Sequence, residues 1–161
     1  MTVDVVKKLI ADILINNESA GRALQTVCDL LREEMDDYHW VGYYLVDPAL
    51  PSELILGPFA GAPTAYTRIG FGKGICGQAA RSLSVLVVDD VNLESNYLSC
   101  SSDVRSEFVA PILWKGKLVG ELDLDSNRIA AFGKEDIELL NRVAEVTAEA
   151  VAFCSAGAQL E

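Results

Sequence analysis

Two apolar, strand-prone runs meet at Lys115-Gly116-Lys117: SEFVAPILW before the turn and LVGELDLDS after it. Two such runs separated by a short polar turn with a glycine read as an antiparallel hairpin. A hairpin brings the outer ends of its strands side by side, and here those ends carry acids. Glu107 stands at the mouth of the first strand, and Asp123 and Asp125 stand near the end of the second. Two residues apart on a strand, Asp123 and Asp125 point to the same face. A polar loop holding Cys100 among Asn96, Ser99, Ser101, Ser102 and Asp103 leads into the hairpin. Any one of these acids reads equally well as a solvated strand end. All three beside a loop cysteine suggest carboxylates and a thiol in one small volume.

The remaining segments read as elements that can cover such a hairpin. Residues 3–15 and about 19–35 carry apolar residues at helical spacing, the second with Leu24, Val27, Cys28, Leu31 and Met35 on one side. Tyr38 to Val46 alternates as a strand, with Trp40, Gly42 and Tyr44 on one face and Val41, Tyr43 and Leu45 on the other. Further strands are expected at Glu53 to Leu56, closed by Gly57-Pro58, at Thr67 to Ile69, and at Val85 to Val88 as a buried strand. Between the last two, Gly70, Gly72 and Gly74 mark a tight turn, and QAARS reads as a short helix. Cys76 then sits near a helix start, where free N–H groups favour a thiolate. One long closing helix is expected from Phe132 to Cys154. The order predicts a single α+β domain over residues 1–161. Its mostly antiparallel sheet has the terminal helices, residues 3–35 and 133–155, on one face and a loop-covered pocket on the other, with the pocket and redox region at 38–127.

Charge narrows the partners. Thirteen Lys and Arg stand against 24 Asp and Glu, a formal net charge of −11, which argues against nucleic acid and anionic membranes. The amino-terminal stretch mixes charged and apolar residues and does not read as a secretory signal. A reducing, cytoplasmic setting is the expectation. The four cysteines are then not a disulfide scaffold. Cys28 and Cys154 fall in helical patterns and read as small core or interface residues. The single His39 reads as structural, and without a His/Cys cluster no metal site is expected.

The ordered motifs HWVGYYL, ELILGPFAG, GFGKGICGQA, VDDVN, SEFVAPI and GKLVGELDLDS resemble GAF domains, and more narrowly the free methionine-(R)-sulfoxide reductases. The resemblance spans about residues 38–127 and includes the 24-residue separation of Cys76 from Cys100. It implies that Cys100 attacks the sulfoxide sulfur and that Cys76 resolves the product. It further implies that Glu107, Asp123 and Asp125 line the substrate pocket, with Trp40 and Tyr44 as an aromatic wall for the S-methyl group. A thioredoxin-like reductant and a homodimer are the family expectations, and no cofactor is implied. Many members carry a further cysteine ten residues before the position of Cys76; here that residue is Tyr66.

The chemistry suits these residue types. Reducing a sulfoxide needs a thiolate at sulfur and a proton on the departing oxygen, leaving a sulfenic acid that a second thiol condenses to a disulfide. Acids in a pocket bind the ammonium that only the free amino acid brings. Crowded carboxylates raise one another's pKa, so one can donate a proton. The alternatives are a small-molecule sensor of the same fold and a dimerisation module with incidental thiols. A sensor would be expected to regulate an attached output module, for which 161 residues leave no room.

Overall fold

The computed structural model describes residues 3–16, 19–98 and 101–157. In chain order its elements are α1 (Val3–Asn16), α2 (Ala20–Glu34), β1 (Trp40–Asp47), β2 (Leu50–Ala60), β3 (Arg68–Gly70), α3 (Gly74–Ser82), β4 (Leu86–Val88), β5 (Ser106–Trp114), β6 (Lys117–Ser126), α4 (Lys134–Val146) and α5 (Ala148–Gly157). A short 3-10 turn, Val91–Leu93, lies between β4 and β5.

The hairpin forms as expected: β5 and β6 pair antiparallel from Ser106↔Ser126 to Trp114↔Lys117, with Gly116 in the left-handed region at φ 80°. It stands near the middle of a six-stranded sheet of order β3-β2-β1-β6-β5-β4, antiparallel at every pairing. The architecture is the α+β single domain read from the sequence.

The two faces of that sheet are covered differently. Leu122 and Leu124 of β6 join Val41, Tyr43 and Leu45 of β1 and Phe108, Ala110 and Ile112 of β5 in one core beneath α1, α2, α4 and α5. Each fully buried large side chain there contributes about 1.5–3 kcal/mol relative to exposure. Polar ties fix the helices on it. Tyr38 Oη donates to Asp136 Oδ1 at 2.6 Å at the start of α4, and the Ser19 hydroxyl accepts from Arg22 N at 3.2 Å to cap α2.

Three local expectations need correction. Strand β2 does not stop at Leu56 but runs on through Pro58 to Ala60, because a bulge opposite Gly42 and Tyr44 absorbs the proline. The segment 85–88 is not a buried strand. Strand β4 is the sheet edge, and Val85 and Val87 are 41% and 37% exposed. The closing helix is two helices, since Thr147 breaks it (φ −97°, ψ 0°). The Thr147 hydroxyl donates to Val143 O at 2.7 Å and meets the Tyr43 hydroxyl at 3.0 Å, so the break is held from both sides.

Candidate active site

Alternation along β6 puts Leu122 and Leu124 into the helix-covered core, and therefore turns Glu121, Asp123 and Asp125 to the opposite face. Register fixes what stands beside each acid. Asp125 pairs with Trp40 and Glu107, Asp123 with Gly42 and Val109, and Glu121 with Tyr44 and Pro111. All four acids are buried. Carboxylate oxygens of Glu107, Asp123 and Asp125 lie within 4.8 Å of one another, a spacing that suits a single positively charged group such as an ammonium.

Helix α3 packs over this face and carries Cys76 as its third residue. It begins at Gly74, four residues before the short helix expected at QAARS, because the preceding loop turns sharply at Gly72 (φ 88°) and Gly74 (φ 64°). Gly74 also makes room for a neighbour. A Cβ there would meet Leu98 Cγ at 2.8 Å, and Leu98 belongs to the loop that leads to Cys100. Asn96 fastens the same loop: its Oδ1 accepts from Gly74 N at 2.9 Å and its Nδ2 donates to Gly72 O at 2.8 Å. Gln78 Nε2 adds a bond to Asn96 O at 2.9 Å. Cys100 itself lies outside the described residues.

At the other end of the acid row is a pocket of about 230 Å³. Its lining includes Trp40, Pro63, Thr64, Ser101, Val104 and Asp125. That is smaller than the roughly 300–1,000 Å³ of drug-sized sites and fits a small metabolite. The Trp40 indole forms one wall. It stacks on Phe59 with ring centroids 5.5 Å apart and donates from Nε1 to Ala62 O at 3.0 Å. Gly42 makes this possible, because a Cβ at that position would meet the Trp40 ring at 2.3 Å. Tyr44 stands deeper, 6.4 Å from Trp40 by centroid, and its hydroxyl donates to Tyr66 O at 2.8 Å. Tyr44 is thus not part of the pocket lining. His39 accepts from Asn127 N at 3.0 Å through Nδ1 at the pocket rim.

Comparison with known proteins places the fold and the family. The GAF domain family model matches residues 19–151. The free methionine-R-sulfoxide reductase of Escherichia coli is 35% identical over 114 residues, covering 71% of this chain and 67% of that one. Among solved structures, the reduced form of fRMsr of Staphylococcus aureus superposes with a TM-score of 0.85 at 32% identity, covering 94% of this chain and 96% of that one. The free methionine-R-sulfoxide reductase of Neisseria meningitidis, solved with its substrate, gives 0.82 at 33%, covering 97% and 89%. The chain belongs to the free methionine-R-sulfoxide reductase family of GAF domains.

In this GAF domain the acid row is electrostatically costly. Burial pushes the Asp123 carboxyl well above its usual range, and the charge of Asp125 adds to it, while hydrogen bonds with Cys76 and Glu107 work against the rise. Burial carries Asp125 to about 6, again opposed by Glu107. Asp123 Oδ1 and Asp125 Oδ1 are buried with no hydrogen-bond partner among the described residues. Such groups cost free energy unless something binds them.

Cys76 departs from the sequence expectation. The helix start should favour its thiolate, yet burial pushes the thiol well up, followed by the charges of Asp123, Glu121 and Glu107 and a hydrogen bond to Asp123. A helix terminus contributes about 0.3–1 kcal/mol, too little to offset burial among carboxylates.

Sequence reasoning also passed over Glu121. It is fully buried on the same face of β6, two residues before Asp123, and neither Oε1 nor Oε2 has a hydrogen-bond partner among the described residues. Burial pushes its carboxyl well up, with the Asp123 charge next. The Cys76 thiol opposes that rise without completing the geometry of a formed hydrogen bond. The signal was the alternation itself: E-L-D-L-D puts three acids, not two, on one face.

Proposed function

We propose that this protein reduces free methionine-(R)-sulfoxide to methionine with Cys100 as nucleophile and Cys76 as resolving thiol. The observation that carries the reading is the buried acid trio on the same sheet face as Cys76, with its member Asp125 lining a small pocket beside Trp40. Glu107, Asp123 and Asp125 hold the ammonium of the free amino acid, a group that a methionine within a peptide lacks. Trp40 presents an apolar wall to the S-methyl end, and Tyr44 supports that wall from below. A protonated member of the trio donates to the sulfoxide oxygen.

The steps balance. The Cys100 sulfur attacks the sulfoxide sulfur and the departing oxygen is protonated. Methionine leaves, and Cys100 is left as a sulfenic acid. Cys76 then forms the S–S bond as the S–O bond breaks and water departs, and a thioredoxin-like dithiol returns both thiols. The bound ammonium offsets the negative field that disfavours a thiolate at Cys100.

Chain geometry supports the pairing of the two cysteines. Ser101, next in sequence to Cys100, lines the pocket, and Leu98, two residues before it, packs on Gly74, two residues before Cys76. With Tyr66 in place of a third family cysteine, one disulfide suffices for the cycle. Action as a cytoplasmic homodimer completes the reading.

The test is consumption of racemic methionine sulfoxide with a thioredoxin-like reductant. Turnover is expected to stop at half conversion, to lose two titratable thiols per protein when reductant is omitted, and to vanish in Cys100→Ser. No consumption, or single-turnover activity that survives in Cys100→Ser and disappears in Cys76→Ser, overturns the assignment.

A further inference from the structure

Glu121 is not one of the three acids whose carboxylate oxygens cluster within 4.8 Å, and the trio that would hold the ammonium is complete without it. Its surroundings narrow what it can do. From β1 it faces Tyr44, whose hydroxyl is committed to Tyr66 O at 2.8 Å. From β5 it faces Pro111, which has no side-chain polar group. Along β6 its neighbour on the same face is Asp123, itself tied to Glu107 and Cys76. From α3, packed over this face, it meets Cys76. Among the described residues no basic group acts on it. A fully buried carboxyl group with both oxygens unpartnered among the described residues thus stands next to one thiol.

That thiol has a proton to lose. Cys76 is 4% exposed, so water is a poor acceptor, and the described residues acting on it are acids alone. We infer that Glu121 is the proton carrier of Cys76, taking the thiol proton as Cys76 condenses with the sulfenic acid and returning it when the disulfide is reduced. This rests on the dithiol reading above and concerns only its second half.

The balance closes. As the Cys76 sulfur bonds to the Cys100 sulfur, the S–O bond of the sulfenic acid breaks and Cys76 is oxidised while Cys100 sulfur is reduced. The thiol proton passes to the Glu121 carboxylate and on through the acid row to the departing oxygen, which leaves as water. In the reverse half, the reductant's dithiol attacks at Cys100, and Cys76 leaves as a thiolate that Glu121 protonates. A carboxyl group held above its usual range is suited to both directions, because its proton affinity lies nearer to that of a thiol.

Glu121→Gln keeps the shape and removes the proton acceptor, and Glu121→Asp keeps the acceptor on a shorter stem. Single turnover with free methionine sulfoxide separates the halves: methionine formed reports the first, and thiol loss with dimedone trapping of sulfenic acid reports the second. In Glu121→Gln the methionine burst is expected within about twofold of wild type. Disulfide closure is expected at least tenfold slower, in line with the 10²–10⁴-fold usual for general acid–base groups. The trapped sulfenic acid should rise, and the carboxyl-dependent limb of the closure rate against pH should disappear. Glu121→Asp should recover most of the rate and the limb. A normal burst with unchanged closure overturns the Glu121 assignment alone, as does a burst that falls in step with closure. A wild-type protein that makes no methionine overturns the reductase reading and this inference with it.

Discussion

The two faces of strand β6 are both buried, and they are buried for opposite reasons. On one, Leu122 and Leu124 complete an apolar core under four helices and stabilise the fold. On the other, Glu121, Asp123 and Asp125 lie under α3 and the loops around it, where carboxyl groups raise one another's proton affinity. Burial of that kind works against the fold, and the proposed binding of an ammonium among these acids would offset it. The helix-covered face anchors β6 through Leu122 and Leu124, and that fixes the acids between them on the other side.

The contrast can be broken first from the apolar side. Phe108 is fully buried and lies 6.0 Å from Phe132 by ring centroid. Phe108→Ala is expected to cost about 3–5 kcal/mol in urea unfolding. KM for free methionine sulfoxide should stay near wild type at temperatures where the variant is folded, since Phe108 faces away from the acids. A KM raised tenfold in the folded variant would show that the faces are not separable.

From the acid side the signs reverse. Asp125→Asn is expected to raise KM at least tenfold and yet to raise the melting temperature at neutral pH. The Asp125 carboxyl rises from 3.8 to about 6 on folding. The wild type therefore holds the associated stability below about pH 4 and loses it as pH climbs through about 6. The loss is on the order of 2–3 kcal/mol, at about 1.4 kcal/mol for each pH unit between the two values. Melting curves from pH 4 to 8 should show the variant gaining on wild type across that window. A constant difference at every pH would refute the linkage.

The smallest effect sharpens the comparison at a polar group within the helix-covered core. Tyr43 and Thr147 hydroxyls meet at 3.0 Å, and Thr147 still reaches Val143 O without Tyr43. Tyr43→Phe should cost about 0.5–1.5 kcal/mol. It should leave the pH dependence of stability and the KM unchanged, because no titrating group of the acid row is touched. A shift in the pH dependence would connect the two faces through β1.

Much of this was legible in one dimension. The hairpin about Gly116, the alternation of Trp40 to Leu45, and the convergence of Glu107 with Asp123 and Asp125 all follow from periods of two and a turn. Less visible were features set by neighbours distant in sequence. The break at Thr147 depends on a tyrosine about a hundred residues earlier, and the passage of β2 through Pro58 depends on a bulge in its pairing with β1. The exposure of Val87 depends on its strand having only one sheet neighbour.

By itself, then, the sequence determined the α+β class, the family, and which face of β6 would be acidic, because alternation and turn chemistry are local properties of a chain. Only the tertiary structure decided that Glu121 is fully buried with the other acids and that Cys76 lies among carboxylates with its proton held tightly. Desolvation depends on what packs over a residue, and α3 reaches the β6 acids from more than forty residues away.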